Sequence, residues 1–466
     1  MSIEPIGLLT LIVGLICLQL GIRAMVATVV VAPLFGAAAA FLVGTANIPP
    51  AHLLLAFAAI ATFTGRQETA SAIGAVRFPE PGFWLMCLVI YGVLTAILMP
   101  RLLAGTMDCI PLGTGEYAET GSTVPLSPTS GNVTQSIYLV GALACFAMIV
   151  GIGSTQAGVV TIASALVAYA IGNVLFALID IATYNTGTAW LLDFMRNAQY
   201  QMHAEEEING LKRIIGSFTE ASSFANSTLG ALGFTGSMWV CGRWPTVTGP
   251  LAIASLMLVV LSTSSTGLVG TPPLLLILYV TALKRVGFRP TFGTAALLCA
   301  PLAVVAVILA AQLNPEEFGP IHDYLDQLIF SKSTTSSGLE RSSWNTAAMQ
   351  NFFDSYGIGV GLGTVRTSSF SVALLSNVGI PGTIFYVLFA VSAFLRKRGT
   401  PRTFPADVRL SARNACVGLL IGGSISGTTV EQGLLFYVLA AAACMEPERN
   451  AVVASLMPGP RVGARA

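Results

Sequence analysis

Two short stretches of this 466-residue chain gather the residue types that could handle a charged leaving group. The first, residues 211–225, sets Arg213 and Glu220 on either side of Gly216 just before an apolar segment. A guanidinium offers a planar donor fork that matches phosphate oxygens, and a carboxylate at an apolar boundary is a candidate base. The plainer reading of the same spacing is an interfacial ion pair between Arg213 and Glu220. The second stretch runs from Thr334 to Gly363. Trp344, Ala348, Phe352 and Tyr356 recur every fourth position, so a helix presents them as one stripe with Arg341 at its leading end. A Ser/Thr/Gly cluster precedes this helix and can cap it. Gly357 stops it, and Gly359, Gly361 and Gly363 let the backbone bend or approach a ligand closely. Arg366 adds a cation three residues beyond the glycine run, and His322 lies in the same large loop, within reach of a substrate.

A membrane scaffold must position these residues. With 54% hydrophobic and 10% charged residues and a mean hydropathy of +0.76, the chain is no soluble globule, whose charged fraction is about a quarter. The net charge of +1, with no long Lys/Arg run, argues against a nucleic-acid partner. A spanning helix needs about 20 apolar residues. Candidate spans lie near 6–22, 25–45, 51–64, 83–100, 136–152, 156–181, 226–240, 246–263, 268–283, 292–313, 368–394, 414–427 and 430–446. The expected fold is therefore all-α and polytopic, with 13 spans, or 12 if a short one is re-entrant. The first segment follows Met-Ser-Ile-Glu-Pro with no basic flank, so it reads as a retained span. Only Cys109 of the eight cysteines falls in a long polar loop, and no disulfide framework is expected.

Lys and Arg stay on the cytoplasmic side during insertion. Alternating sides from span to span puts sixteen of the 23 basic residues on one face, from Arg23, Arg66 and Arg77 to the group Arg396–Arg413 and Arg465. Residues 1–446 then form a single transmembrane domain with outer loops at 101–135, 182–225 and 314–367, and residues 447–466 form a cytoplasmic tail. Seven cations resist this bias by lying outside: Arg101, Arg196, Lys212, Arg213, Lys332, Arg341 and Arg366. Either they meet lipid headgroups, or some of them converge to bind an anion.

The pattern Arg213-x-x-Gly216-x-Phe218-x-Glu220-Ala-Ser-Ser-Phe224-Ala225, the turn Ser262-Thr-Ser-Ser-Thr-Gly267, Arg341-x-x-Trp344 leading into Gly357-Ile-Gly-Val-Gly-Leu-Gly363, and the closing Leu374-Leu-Ser-Asn-Val-Gly379-Ile-Pro-Gly382 together resemble the O-antigen ligase and polymerase superfamily. The likeness covers roughly residues 140–440. It implies a GT-C-type membrane glycosyltransferase of the bacterial inner membrane, needing no metal or other cofactor, with its active site facing the periplasm or exterior. The substrates implied are oligosaccharides on a polyprenyl diphosphate, as donor and acceptor, and a chain-length regulator and export proteins are implied partners. By similarity Arg213 and Arg341 match arginines that hold the diphosphate, and Glu220 matches an acidic position of the first motif. Ligases of this superfamily carry a histidine after the glycine run, where this chain has Thr367, Ser368, Ser369 and Phe370, so polymerisation is favoured over ligation. Many members also carry an arginine in the Ser-x-Ser turn, where this chain has Ser264-Ser265-Thr266.

Glu220 is the leading candidate for the base, with Asp354 and Glu340 behind it, and one base implies direct displacement with inversion. Gly359-Val-Gly-Leu-Gly363 lacks the preceding strand of a dinucleotide fingerprint. His52, His203 and His322 have no metal-ligand spacing. Asn132-Val-Thr134 matches a glycosylation sequon without consequence in a bacterial protein, and Asp180 and Glu431 are ionisable groups at span ends, weak candidates for an acceptor site. The rival from another class is a secondary transporter or flippase. Transporters favour two related halves and a midplane site, whereas here the charges collect in outer loops of 44 and 54 residues.

Overall fold

The computed structural model describes residues 2–448 except 44–45, 115, 117–121, 200–205, 209–210, 287–290, 315–317 and 320–325. Among them are fifteen helices of nine residues or more. In chain order they are α1 (Pro5–Leu20), α2 (Ile22–Val31), α3 (Pro50–Thr64), α4 (Arg66–Ala75), α5 (Pro81–Leu102), α6 (Ser130–Ile152), α7 (Gln156–Thr183), α8 (Ala221–Val240), α9 (Pro245–Leu261), α10 (Ser265–Leu283), α11 (Phe292–Leu313), α12 (Ser336–Asp354), α13 (Phe370–Phe394), α14 (Phe404–Ser426) and α15 (Leu434–Ala442). Strands of two or three residues form small antiparallel pairings in the connections. The chain is a mostly helical membrane protein: α5, α6, α7, α10, α11 and α13 are long and apolar enough to cross a membrane, and shorter apolar helices accompany them. On α1, Leu8, Leu9, Ile12, Leu15 and Ile16 stay about half-exposed, an apolar exterior that only lipid makes favourable.

The centre of the bundle is α8, because its sequence is small on one face. Gly230, Gly233 and Gly236 recur every third position, and a Cβ at Gly233 would stand 2.8 Å from the Ala415 Cα of α14. Such spacing lets two helix backbones approach where no hydrophobic force drives helices together. Hydroxyls and amides then join the helices: Asn173 donates to Thr228 at 2.9 Å, and Asn414 donates to Ser237 at 2.9 Å and Thr281 at 3.1 Å.

Three expected boundaries change. The span read over 25–45 ends early, in a 3-10 turn at Ala32–Leu34, and the chain returns through a buried non-helical stretch. That stretch is tolerated because the loop after α7 satisfies its backbone: Ala37 N donates to Ser217 O at 3.2 Å, and Ala39 exchanges hydrogen bonds with the Asn197 amide, both 3.0 Å. The helix read from 414 begins at Phe404 instead. Its charges hid it, for Asp407 is buried between Arg243 and Arg285, and Arg409 between the Met445 carbonyl and Glu448. The polar connection before α5 folds as α4 and packs against α6.

Candidate active site

Four connections lie on one face of the bundle: 103–129, 184–220, 314–369 and 427–433. Helix α12 lies within the third of them. Thr335 caps it by accepting from Gly338 N at 3.2 Å. Ala348 and Asn351 are its buried side chains, and Asn351 donates to Asp108 O at 2.7 Å. The expected stripe therefore holds as far as Phe352. Tyr356 falls beyond the last turn, at φ +53°, and points into solvent with 92% of its surface exposed.

The start of α12 carries the cations. Arg341 Nη2 lies 3.4 Å from Glu220 Oε2, and Ser222 donates to the other Glu220 oxygen. One turn along, Trp344 stacks beneath the Arg366 guanidinium, 5.0 Å from ring centroid to Cζ, within cation–π range. Residues three apart are neighbours on a helix surface, so Arg366 and Arg341 flank one side of α12. Arg366 has no carboxylate partner among the described residues. Asn345, next to Trp344, accepts from Ser368 N at 2.8 Å and fixes the segment that bears Arg366.

Arg213 is elsewhere. It pairs with Glu206 across a short hairpin and has no described contact with Glu220, so the ion pair read from spacing does not form. The hairpin is anchored by Asp180, whose carboxylate is fully buried. It accepts from Arg196 and Lys212, both at 2.7 Å, and from the amides of Ile215 and Gly216 at 3.0 and 3.1 Å. With those bonds made, Asp180 is an anchor with little capacity left for a substrate. Arg101 is exposed and donates to its own helix at Ile97 O. Asp354 accepts from Gln350 at the exposed end of α12, and Glu340 is exposed. His322 lies outside the described residues, as do 449–466 of the expected tail.

The glycine run is held by protein on every side. Gly359, Gly361 and Gly363 all have positive φ and are buried. A Cβ on Gly359 would meet Gly379 N at 2.6 Å, one on Gly361 would meet Thr95 O at 2.7 Å, and one on Gly363 would overlap the Gly131 carbonyl. Their close approach is to the backbones of α13, α5 and α6. Asn132 clamps the run, donating to Leu362 O at 2.8 Å and Thr364 Oγ1 at 2.9 Å, with Thr129 donating to Gly363 O at 3.1 Å. Arg366 N, finally, donates to Ile110 O at 2.9 Å.

Beside this charged rim lies a polar cavity of about 340 Å³. Thr219, adjacent to Glu220, lines it, as does Thr428, whose carbonyl accepts from Thr367 next to Arg366 at 3.2 Å. Its lining also includes His52, Asn226 and Glu431. Among the described residues, both ring nitrogens of His52, Asn226 Oδ1 and Glu431 Oε1 are buried without a hydrogen-bond partner. Burial pushes the Glu431 carboxyl up to about 7, against the Gly433 amide, which favours its charged form. The sequence signal for this residue was its position as the sole ionisable group between two apolar segments. Asn132 carried a signal that pointed elsewhere. Among the described residues no cluster of His, Cys, Asp or Glu could hold a metal ion.

No protein-family model matches this chain, and no curated protein matches it.

Proposed function

We propose that the chain is a metal-independent glycosyltransferase that polymerises oligosaccharide repeat units carried on a polyprenyl diphosphate, at the outer face of a bacterial plasma membrane. The observation that carries this reading is the meeting of Arg341, Glu220, Trp344 and Arg366 about the start of α12, with Thr219, the chain neighbour of Glu220, lining a cavity. Sugar transfer from such a carrier leaves charge on the diphosphate, and preorganised guanidinium groups stabilise that charge as it develops. Among the described residues Arg366 has no carboxylate to give up, and Arg341 has one loosely held. An apolar groove of about 390 Å³ shares Ala32 and Phe35 with the polar cavity and suits an isoprenoid chain. Donor headgroup and lipid tail would then occupy adjoining spaces, with the chain-length regulator and export machinery on the same face.

The test is chain growth from a lipid-linked repeat unit by the purified protein in liposomes. Arg341→Ala and Arg366→Ala are each expected to slow it about 10²–10³-fold, the usual loss for one transition-state donor. Arg213 pairs with Glu206 away from that cluster, and a partly exposed pair contributes about 1 kcal/mol or less, so Arg213→Ala is expected to cost less than about tenfold. Near-wild-type growth from both Arg341→Ala and Arg366→Ala would end the proposal. A ligase would instead move finished polymer to a different acceptor without lengthening it. Buried Glu431, whose Oε1 has no partner among the described residues, also favours a second reading, a proton-coupled transporter. Substrate-dependent proton movement into sealed vesicles, with no new glycosidic bond, would select it.

A further inference from the structure

We propose that Glu431, and not Glu220, takes the proton from the acceptor sugar's hydroxyl. The inference rests on the polymerase reading and names its base. Glu220 has a neighbour at each oxygen: Arg341, loosely held, 3.4 Å from one, and Ser222 donating to the other. Glu431 is the converse. It is 8% exposed, lines the cavity together with Thr219 and with Thr428, whose carbonyl accepts from Thr367 next to Arg366, and its Oε1 has no partner among the described residues.

Cys145 of α6, Tyr386 of α13 and Tyr437 of α15 lie close enough to Glu431 to feel its charge, and His52 lines the same cavity. None supplies a positive charge, and no Lys or Arg pairs with it among the described residues. His52 and Asn226, lining the same space with free polar atoms, are placed to hold the acceptor's other hydroxyls. A cavity of about 340 Å³ falls within the ~300–1,000 Å³ of small-molecule sites. The step balances without a co-reactant. The acceptor oxygen's lone pair forms the bond to the donor's anomeric carbon, and the bond from that carbon to phosphate oxygen breaks. Its electron pair leaves on the polyprenyl diphosphate, and the hydroxyl proton passes to Glu431, which later releases it to water. Burial that lifts the carboxyl to about 7 makes Glu431 a proton acceptor matched to neutral pH.

The experiment is the pH–rate profile of chain growth in liposomes for the wild type, Glu431→Gln, Glu431→Asp and Glu220→Gln, with direct binding of polyprenyl diphosphate measured alongside. The wild-type rate is expected to rise with pH through about 7, because the base must be ionised. Glu431→Gln should lose about 10²–10⁴-fold in kcat with the donor KM little changed, and with it the rise through neutral pH. Glu431→Asp should keep a displaced rise, and Glu220→Gln should keep the rise whatever its rate. Carrier binding retained by Glu431→Gln separates a lost base from a lost fold. If that variant does not bind, Glu220→Gln decides alone: a rise kept supports the assignment, and a rise lost transfers the role to Glu220. Growth by Glu431→Gln within tenfold of wild type overturns the inference and leaves the polymerase reading standing. A wild type that binds no carrier and makes no polymer removes both.

Discussion

Arg341 and Glu220 are 28% and 30% exposed in their side chains and 3.4 Å apart, an arrangement in which solvent screens most of the attraction. Such a pair adds about 1 kcal/mol or less to stability. A cation held so weakly is available to a ligand with more charge than one carboxylate. Asp180 represents the opposite case. Its side chain is 1% exposed, Arg196 and Lys212 beside it are 8% and 12% exposed, and removing the carboxylate strands two buried cations. Two outcomes follow for thermal unfolding in detergent. Glu220→Gln should change stability by less than about 1 kcal/mol, whereas Asp180→Asn should cost about 3–5 kcal/mol. Equal losses from the two variants would contradict this division between a site residue and an anchor. The distinction was hidden in the sequence, where both are acids near a span end. Only the fold reveals that Asp180 collects the amides of Ile215 and Gly216 as well as two cations.

The segment Gly357–Thr367 was legible as a bend, since four glycines at alternate positions permit little else. What the glycines approach was not legible, because the partners Gly131, Thr95 and Gly379 come from three distant helices. The sequence suggested a ligand; the fold supplies protein backbone. Asn132 carries much of this clamp, and its residue type was accounted for as part of a sequon. Removing it leaves the Leu362 carbonyl without its donor and the Thr129 amide without its acceptor, both buried. Each such orphan costs about 1–3 kcal/mol, so Asn132→Ala should destabilise the protein by about 2–4 kcal/mol. The loss should be local as well as global. Limited proteolysis is expected to cut between residues 355 and 369 before the rest of the bundle, and chain growth should fall because Arg366 leaves Trp344. Uniform unfolding with no preferential cleavage would mean the clamp does not govern that segment.

Across the whole molecule the two ends treat charge differently, which is the physical content of the orientation read from Lys and Arg. On the short-connection side Arg243 and Arg285 share Asp407, Arg396 pairs with Glu80 at 3.0 Å, Arg398 with Glu446 at 3.4 Å and Arg409 with Glu448 at 3.1 Å. Those carboxylates tie helix ends together. On the long-loop side Arg366 has no carboxylate partner among the described residues and Arg341 is weakly paired. Hydropathy alone found the apolar segments, but it misjudged three of them: the last, read as a span over 430–446, is helical only over Leu434–Ala442, too short to cross a membrane. The second apolar stretch is broken by non-helical backbone that the 197–217 loop satisfies, and α14 extends through buried charges. Neither compensation is local in sequence. The orientation itself is open to a direct measurement, because Ser342 on α12 and Thr400 before α14 are both exposed, at opposite ends of the bundle. Among the cysteines Cys299 is the one classed as exposed, so a Cys299→Ser background removes the competing thiol. In intact cells a membrane-impermeant maleimide should label Ser342→Cys and spare Thr400→Cys, and opening the membrane should make both react. Labelling of Thr400→Cys alone would turn the protein over. The cation cluster would then face the cytoplasm, opposite to the outer face on which the proposed reaction is placed, and the polymerase reading would lose its compartment.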